Sequence, residues 1–455
     1  MLKSVRAAAA APVALMVLTL GAPAVTTAQG LLFPAPPIAV SGQTRDEEGR
    51  ASEAVRFVWR DHPSLRFGRP LRLDFVMKPQ EDARRAGDDP FLFETFELHR
   101  LRVGVDGEMF RRIQFSIERE LTETENVDPA EILGRTKSAW KDYYVDVNLS
   151  DGFQVRAGRF KIPFGVEQLT GISNLDFIYR SLDASQIAPA RDRGIMAHGR
   201  FFKRGLNYWA GGFEHDGDNA RSSKIRGGDE TVAARVTGTP FRKIKAAGFG
   251  DMEIGGAFTL TSVSDVSVVP NGVRGRTVMS QFTFYEPLFA KGLRTRIEAD
   301  ADWNTGPFNA RAEYTWMSDD RQKQGFGDND LPQARARAWF VSGTWVVTGE
   351  KKDRPVQPRH EIFRGGAGAV ELAGRYERIR FGGVPGNDEP FRNPRAVTIL
   401  PVTNEVATFG INWYVNRWLK MQANAIREHI DDKERSPVPN GAAFWSQIVR
   451  LQIVL

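Results

Sequence analysis

The sequence predicts an all-β chain that closes into an antiparallel transmembrane β-barrel of about 16 to 18 strands with an inward-folded constriction loop. Three observations predict it: an export leader, a two-residue alternation of apolar and charged side chains along most of the chain, and a last strand that runs to the final residue. Each constrains a different property, namely destination, wall chemistry and closure.

The leader comes first in the chain. Lys3 and Arg6 precede an apolar run over residues 7–25, and Thr26, Thr27 and Ala28 follow. This is the order of a secretory signal peptide, with cleavage expected after Ala28. Pro12, Gly21 and Pro23 interrupt the run and argue against a retained anchor. Beyond Gln29 no stretch approaches the roughly 18 uncharged residues that a spanning helix requires. Residues 29–62, which hold Pro34, Pro36 and Pro37 and lack a clean alternation, are expected to form a periplasmic N-terminal arm, and residues 63–455 the barrel.

Composition is that of neither a membrane-helix protein nor a disulfide scaffold. The chain is 41% hydrophobic and 26% charged, with a mean hydropathy of −0.37. A membrane barrel has such values because only alternate residues meet lipid while their neighbours meet a wet lumen. The absence of Cys in an exported chain removes disulfides, thiolate metal sites and cysteine nucleophiles. The formal charge of +6 falls to +4 when Lys3 and Arg6 leave with the leader, too mild for a nucleic-acid partner.

Period-two patterns show which face is which. Ile297, Ala299, Ala301 and Trp303 share one face, and Arg294, Arg296, Glu298, Asp300 and Asp302 share the other. Phe308, Ala310, Ala312, Tyr314 and Trp316 alternate with Asn309, Arg311, Glu313 and Thr315, so small residues with aromatics at the end form a lipid-compatible face. In the last strand Val449, Leu451, Ile453 and Leu455 oppose Arg450, Gln452 and Val454. That strand must pair with an early one, since a free sheet edge is not tolerated in lipid. The polar stretches 214–229, 318–333 and 350–358 read as long loops on one rim.

A pore needs fixed charge on its inner wall and a constriction rather than nucleophiles. Alternation turns Arg72, Arg100, Arg102, Arg156, Arg235 and Arg375 away from lipid, and their planar guanidinium groups suit phosphate or carboxylate oxygens. The alternative is that they pair across the wall with Glu118, Asp146, Glu298, Glu371 and Glu377 and act as struts. Residues 161–193 are too long for a tight hairpin and carry Ile162, Phe164, Leu169, Leu175, Phe177 and Ile178, apolar groups suited to packing on the inner wall. Folded inward, this loop would bring Lys161, Arg180, Arg191 and Arg193 to the eyelet; the alternative is an external or subunit-contact loop. His215, Asp216, Asp218 and Asn219 read as a solvated turn rather than a cation site. His360 and Glu361 open a zinc-helix pattern, but Arg364 stands where the second His belongs. No catalytic, metal or cofactor site is expected.

Several stretches carry a resemblance that periodicity does not supply. They are LHRLRVGVDG at 98–107, KDYYVDVNL at 141–149, VRAGRFKIPFGVEQL at 155–169, SLDASQIAPARDRGIMAHG at 181–199, WFVSGTWVVTGE at 339–350, AVELAGRY at 369–376 and FGINWYV at 409–415. Together, and in this order, they resemble the phosphate-selective porin O and P family. The resemblance implies a sixteen-stranded outer-membrane porin, usually a homotrimer, that forms a passive water-filled channel for small anionic solutes such as phosphate. A barrel so placed is expected to contact outer-membrane lipid and lipopolysaccharide. The chain departs from the family's pattern in ending on Leu455 rather than an aromatic and in lacking a dense lysine cluster. An outer-membrane barrel enzyme and a secreted all-β binding module are the competing readings.

Overall fold

The computed structural model describes residues 55–59, 62–85, 87–92, 94–122, 139–219, 229–242, 248–264, 270–383 and 393–455. The expected signal peptide and residues 29–54 of the expected arm lie outside them. So does the part of the 214–229 loop over residues 220–228. Among the described residues twenty strands follow one another. They are β1 (Arg56–Trp59), β2 (Pro63–Phe67), β3 (Leu71–Arg85), β4 (Thr95–Met109), β5 (Ile113–Glu120), β6 (Trp140–Ser150) and β7 (Phe153–Lys161). Next come β8 (Arg191–Phe201), β9 (Leu206–Phe213), β10 (Thr231–Gly238), β11 (Glu253–Val263), β12 (Gly275–Arg276) and β13 (Thr283–Tyr285). The chain continues with β14 (Gly292–Thr305), β15 (Phe308–Arg321), β16 (Leu331–Val346), β17 (Ala369–Gly382), β18 (Val402–Tyr414), β19 (Leu419–Ile430) and β20 (Phe444–Ile453).

Strands β3 to β11 and β14 to β20 pair antiparallel in sequence order, and β20 closes on β3 through Gln447↔Arg85 to Gln452↔Gln80. The closed ring therefore has sixteen strands, the lower end of the expected range. The backbone of Leu455 donates to and accepts from Met77 at the seam. Hairpin β1–β2 pairs with residues 71–74 of β3, so part of the expected arm, residues 56–59, is a strand. Its four residues are too few for alternation to reveal.

The wall is inside out relative to a water-soluble protein. Ile297 is 53% exposed, while its neighbours Arg296 and Glu298 are 0% and 2% exposed. The same inversion runs through β15 and β20. Burying charge while exposing branched apolar groups is costly in water and favourable where the outer surface meets hydrocarbon and the inner surface meets paired charges. Stacked outward rings, Phe308 on Trp345 and Phe249 on Trp303, mark one rim as an interfacial aromatic girdle.

Most connections on that rim are short. Gly306 takes φ 54 in the two-residue link between β14 and β15, a conformation that favours glycine. The opposite rim carries the longer connections, which marks it as the outer side of the membrane. Residues 350–358 correct one expectation. They belong to the short-turn rim, since Val346 N–H donates to Pro307 O and Lys352 N–H to Gly306 O. Composition identifies a loop, but only the count of preceding strands assigns its rim.

Candidate functional site

The lumen is narrowed from both rims. Between β7 and β8, residues 162–190 fold inward, with Phe164, Val166 and Leu169 fully buried. Gly165 at φ 74 lets this segment approach the wall, where a Cβ would lie 2.8 Å from Glu313 Oε1. The short helix Val166–Leu169 then presents Glu167 N–H to Glu313 Oε2 at 3.0 Å. Ile178 N–H donates to Asn424 Oδ1 at 2.8 Å and Leu182 N–H to Glu377 Oε2 at 2.5 Å. Asn412, Gln422, Lys420 and Arg450 in turn donate to carbonyls of residues 175–178. The expected constriction loop is thus laced to strands β15 and β17 to β20. The external placement is excluded.

Two further inward segments were not anticipated. Between β11 and β14, the β12–β13 hairpin places Val278, Met279, Phe284, Tyr285 and Leu288 against Ile379, Phe381, Ile399 and Val402. Tyr285 stacks on Phe381, with ring centroids 4.5 Å apart. Gln186 joins this hairpin to the first loop, donating to Arg276 O at 2.7 Å and accepting from Arg276 N–H at 3.0 Å. The signal was present: these apolar residues sit in a connection too long for a hairpin, as in the first loop. From the other rim, residues 347–368 send in Lys352, which pairs with Asp176 and Glu371, and Arg354, which pairs with Asp302. Burial alone would raise the Asp176 carboxyl, but Lys352 and Arg354 outweigh it and hold it below the usual carboxylate range.

All six arginines chosen by alternation lie on inner-face positions, and all six are paired. Arg72 meets Asp74 at 2.9 Å. Arg100 and Arg102 share Glu120 at 3.3 and 2.8 Å, and Arg102 also reaches Glu118. Arg156 forks onto Asp146, which His198 also contacts at 2.9 Å. Arg235 bridges Glu298 and Asp300, and Arg375 bridges Glu167 and Glu377. Adjacent strands explain the pairs of Arg100, Arg102 and Arg156, because the register sets Arg102 opposite Glu120 and Arg156 opposite Asp146.

The four loop candidates separate. Lys161 Nζ donates to the carbonyls of Gln168, Leu169 and Thr170, and Arg180 to those of Glu167 and Thr170. Among the described residues neither has a carboxylate at ion-pair distance. Arg191 forks onto Asp142. Arg193 shares the outward parity of Ile195 and pairs with Glu214 at the surface, 52% of its side chain exposed. It does not approach the eyelet, because a strand position of that parity points away from the lumen. Arg180 is lowered to about 9 by burial and by the neighbouring Arg191, Arg102 and Arg311, with Glu167 opposing. Arg180, Arg191, Arg102 and Arg311 therefore converge on one corner of the lumen.

The expected solvated turn is also corrected. Asp216 is fully buried and receives both Arg294 and Arg296. Burial would raise its carboxyl, but the two guanidiniums bring it down to about 2. Asp218 holds Arg159, and His215 lies 3.5 Å from Asp192. No group of three or more metal-ligating side chains occurs among the described residues.

Comparison with known proteins agrees with this architecture. The chain shares 24% identity over 137 residues with Porin O of Pseudomonas aeruginosa, an alignment spanning 28% of each chain. A loop-deletion mutant of OmpT, an outer membrane protein of Vibrio cholerae, superposes with a TM-score of 0.52 at 13% identity, over 85% of this chain and 100% of that one. OmpF of Salmonella typhi superposes with a TM-score of 0.50 at 10% identity, over 88% of this chain and 100% of that one. The family model for phosphate-selective porin O and P matches residues 93–453. With its closed sixteen-strand wall and infolded constriction, the chain is a bacterial outer-membrane porin and belongs to the phosphate-selective porin O and P family.

Proposed function

We propose that this porin is a passive, non-catalytic channel that prefers small anions such as phosphate, assembles as a homotrimer, and takes the sign of its preference from Lys161 and Arg180. The observation that carries this reading is that their hydrogen bonds go to carbonyls, whereas the six wall arginines chosen by alternation are matched by acids. A carbonyl leaves the cation's net charge uncancelled, so Lys161 and Arg180 project a field into the passage beside them. Arg72, Arg100, Arg102, Arg156, Arg191, Arg235 and Arg375 hold the wall and the loops rigid and contribute to solute binding mainly through exposed edges. Arg193 contributes at most at the mouth.

The field of Lys161 and Arg180 favours anions weakly, and salt screens it beyond about 10 Å at 0.1 M. Trimeric assembly fits the trimer form described for the Vibrio cholerae OmpT, whose fold this chain shares with a TM-score of 0.50. Reversal potential across a planar bilayer in asymmetric salt tests the selectivity, with anion preference expected for the wild type and its loss expected for Lys161→Met with Arg180→Met. Cross-linking in native membranes that yields only monomers would remove the trimer.

A further inference from the structure

A second concentration of arginine lies on the outside of the wall, away from the lumen. On the faces of β16 to β19 that carry Val341, Phe409 and Ile411 outward, the ends toward the long-connection rim present Arg335, Arg337, Arg378, Arg380 and Arg427. Outward acids on this stretch and on β15 beside it are Asp320 and Glu405. Glu405 pairs with Arg378 at 3.4 Å, and Asp320 accepts from Gln333 at 2.8 Å. Arg335, Arg337, Arg380 and Arg427 have no ion pair among the described residues.

The register makes the arrangement more pointed. Arg337 stands directly opposite Arg380 across β16 and β17. Like charges directly opposed on a sheet are destabilising unless an anion lies between them. Arg378 is set opposite Glu405 across β17 and β18, and Glu405 opposite His429 across β18 and β19. At about 4.8 Å between strands, four strands give a patch roughly 15 Å wide.

Height along the wall identifies the occupant. Trp345, in the girdle of the short-turn rim, and Arg337 lie eight positions apart on β16, about 26 Å along the strand and about 20 Å along the membrane normal at a barrel's usual tilt. The apolar band of such barrels is about 25 Å tall. Arg337 and Arg380 thus sit at the band's outer edge, from which long side chains snorkel into the headgroup layer, while Trp339 and Tyr376, with ring centroids 5.7 Å apart, lie just below them. Free phosphate in water has no reason to collect at this height. A phosphorylated lipid headgroup is held there by its own acyl chains.

We propose that Arg335, Arg337, Arg378, Arg380 and Arg427 form a binding site on the outer wall for the phosphorylated headgroup of an outer-leaflet lipid, of the lipopolysaccharide class. The phosphates lie between Arg337 and Arg380, which relieves their repulsion, and the acyl chains run down the apolar wall past Val341 and Tyr376. The site is independent of the pore and of its selectivity.

The test titrates the purified, reconstituted protein with bisphosphorylated lipid A, with dephosphorylated lipid A and with inorganic phosphate, reading retained lipid by native mass spectrometry. The double variant Arg337→Gln with Arg380→Gln should bind bisphosphorylated lipid A at least about tenfold more weakly, each arginine near a charged surface contributing several-fold. Its heat-modifiable gel mobility and its conductance should stay those of the wild type. Dephosphorylated lipid A should bind the wild type more weakly by a similar factor, an arm that needs no variant. Undiminished binding by the double variant, or equal binding of the dephosphorylated lipid, overturns the proposal. Displacement of the lipid by inorganic phosphate at matching concentration also overturns it, since the site would then be one for a free anion.

Discussion

Lys352, carried in from the short-turn rim, meets Asp176, carried in from the long-connection rim, in a buried ion pair of 2.5 Å. Glu371 of the wall completes the contact, and Lys352 is 3% exposed. The two inward segments are thereby tied to each other and to β17, which makes the constriction a braced structure rather than two free loops.

Removing Lys352 tests that brace. Lys352→Met leaves Asp176 and Glu371 buried without their shared cation, a class of change that costs about 3–5 kcal/mol. Urea unfolding of the refolded protein should show a loss of this size, and single-channel records should become noisier. Adding Asp176→Asn to Lys352→Met should recover part of the loss, because one uncompensated charge is then gone.

Charge pairing sets the outcome at Arg100 and Arg102. Replacing both by Ala leaves Glu118 and Glu120 with Lys78 as their remaining close cation. The reversal potential should therefore pass beyond zero toward cation preference at low salt. A shift that stops at or before zero would mean that these acids do not face the passage.

Acidity should tighten the loop. Burial raises the carboxyl of Asp183 to about 6. Asp183 accepts from Thr315 Oγ1 at 2.7 Å and lies beside Glu313 on the wall, and the nearby Glu167 contributes to the rise. A carboxyl whose folded value is raised stabilises the docked loop fully below its unfolded value near 4 and loses that contribution as pH rises through about 6. Proteolysis at residues 162–190 should be slower at pH 5 than at pH 7.5, and Asp183→Asn should reduce the difference.

The outer face has its own test. Ile297→Arg places a charge on the lipid-facing wall and should cost about 2–4 kcal/mol if the position lies near the bilayer midplane. Folding yield into lipid vesicles, scored by heat-modifiable mobility, measures it. Unchanged folding would mean that Ile297 does not face hydrocarbon.

The wall was legible in the sequence because lipid and lumen demand opposite chemistry at adjacent residues, so that Ile297 and Glu298 announce their faces without any knowledge of their partners. The first constriction loop was legible for a related reason, since Phe164 and Leu169 have no place in a solvated connection. Pairing was not legible. Arg235 finds Glu298 and Asp300 across an intervening strand, and Arg375 finds Glu167 in a loop from another part of the ring. Such contacts depend on register and on inward folding, which no local pattern encodes. Arg193 failed for a smaller reason: strand β8 begins before it, and parity rather than loop geometry fixes its direction. Asp216 was read by its Gly- and Asp-rich surroundings, whereas two distant arginines decide its fate.

The central claim is an anion preference set by Lys161 and Arg180, and the reversal potential of the wild-type pore in a salt gradient at low ionic strength tests it most directly. A potential of the sign expected for anion flow, which shrinks as salt rises and vanishes when Lys161 and Arg180 are both replaced by Met, is the predicted result. A cation-selective wild-type pore, or selectivity that survives the double replacement, would contradict the account.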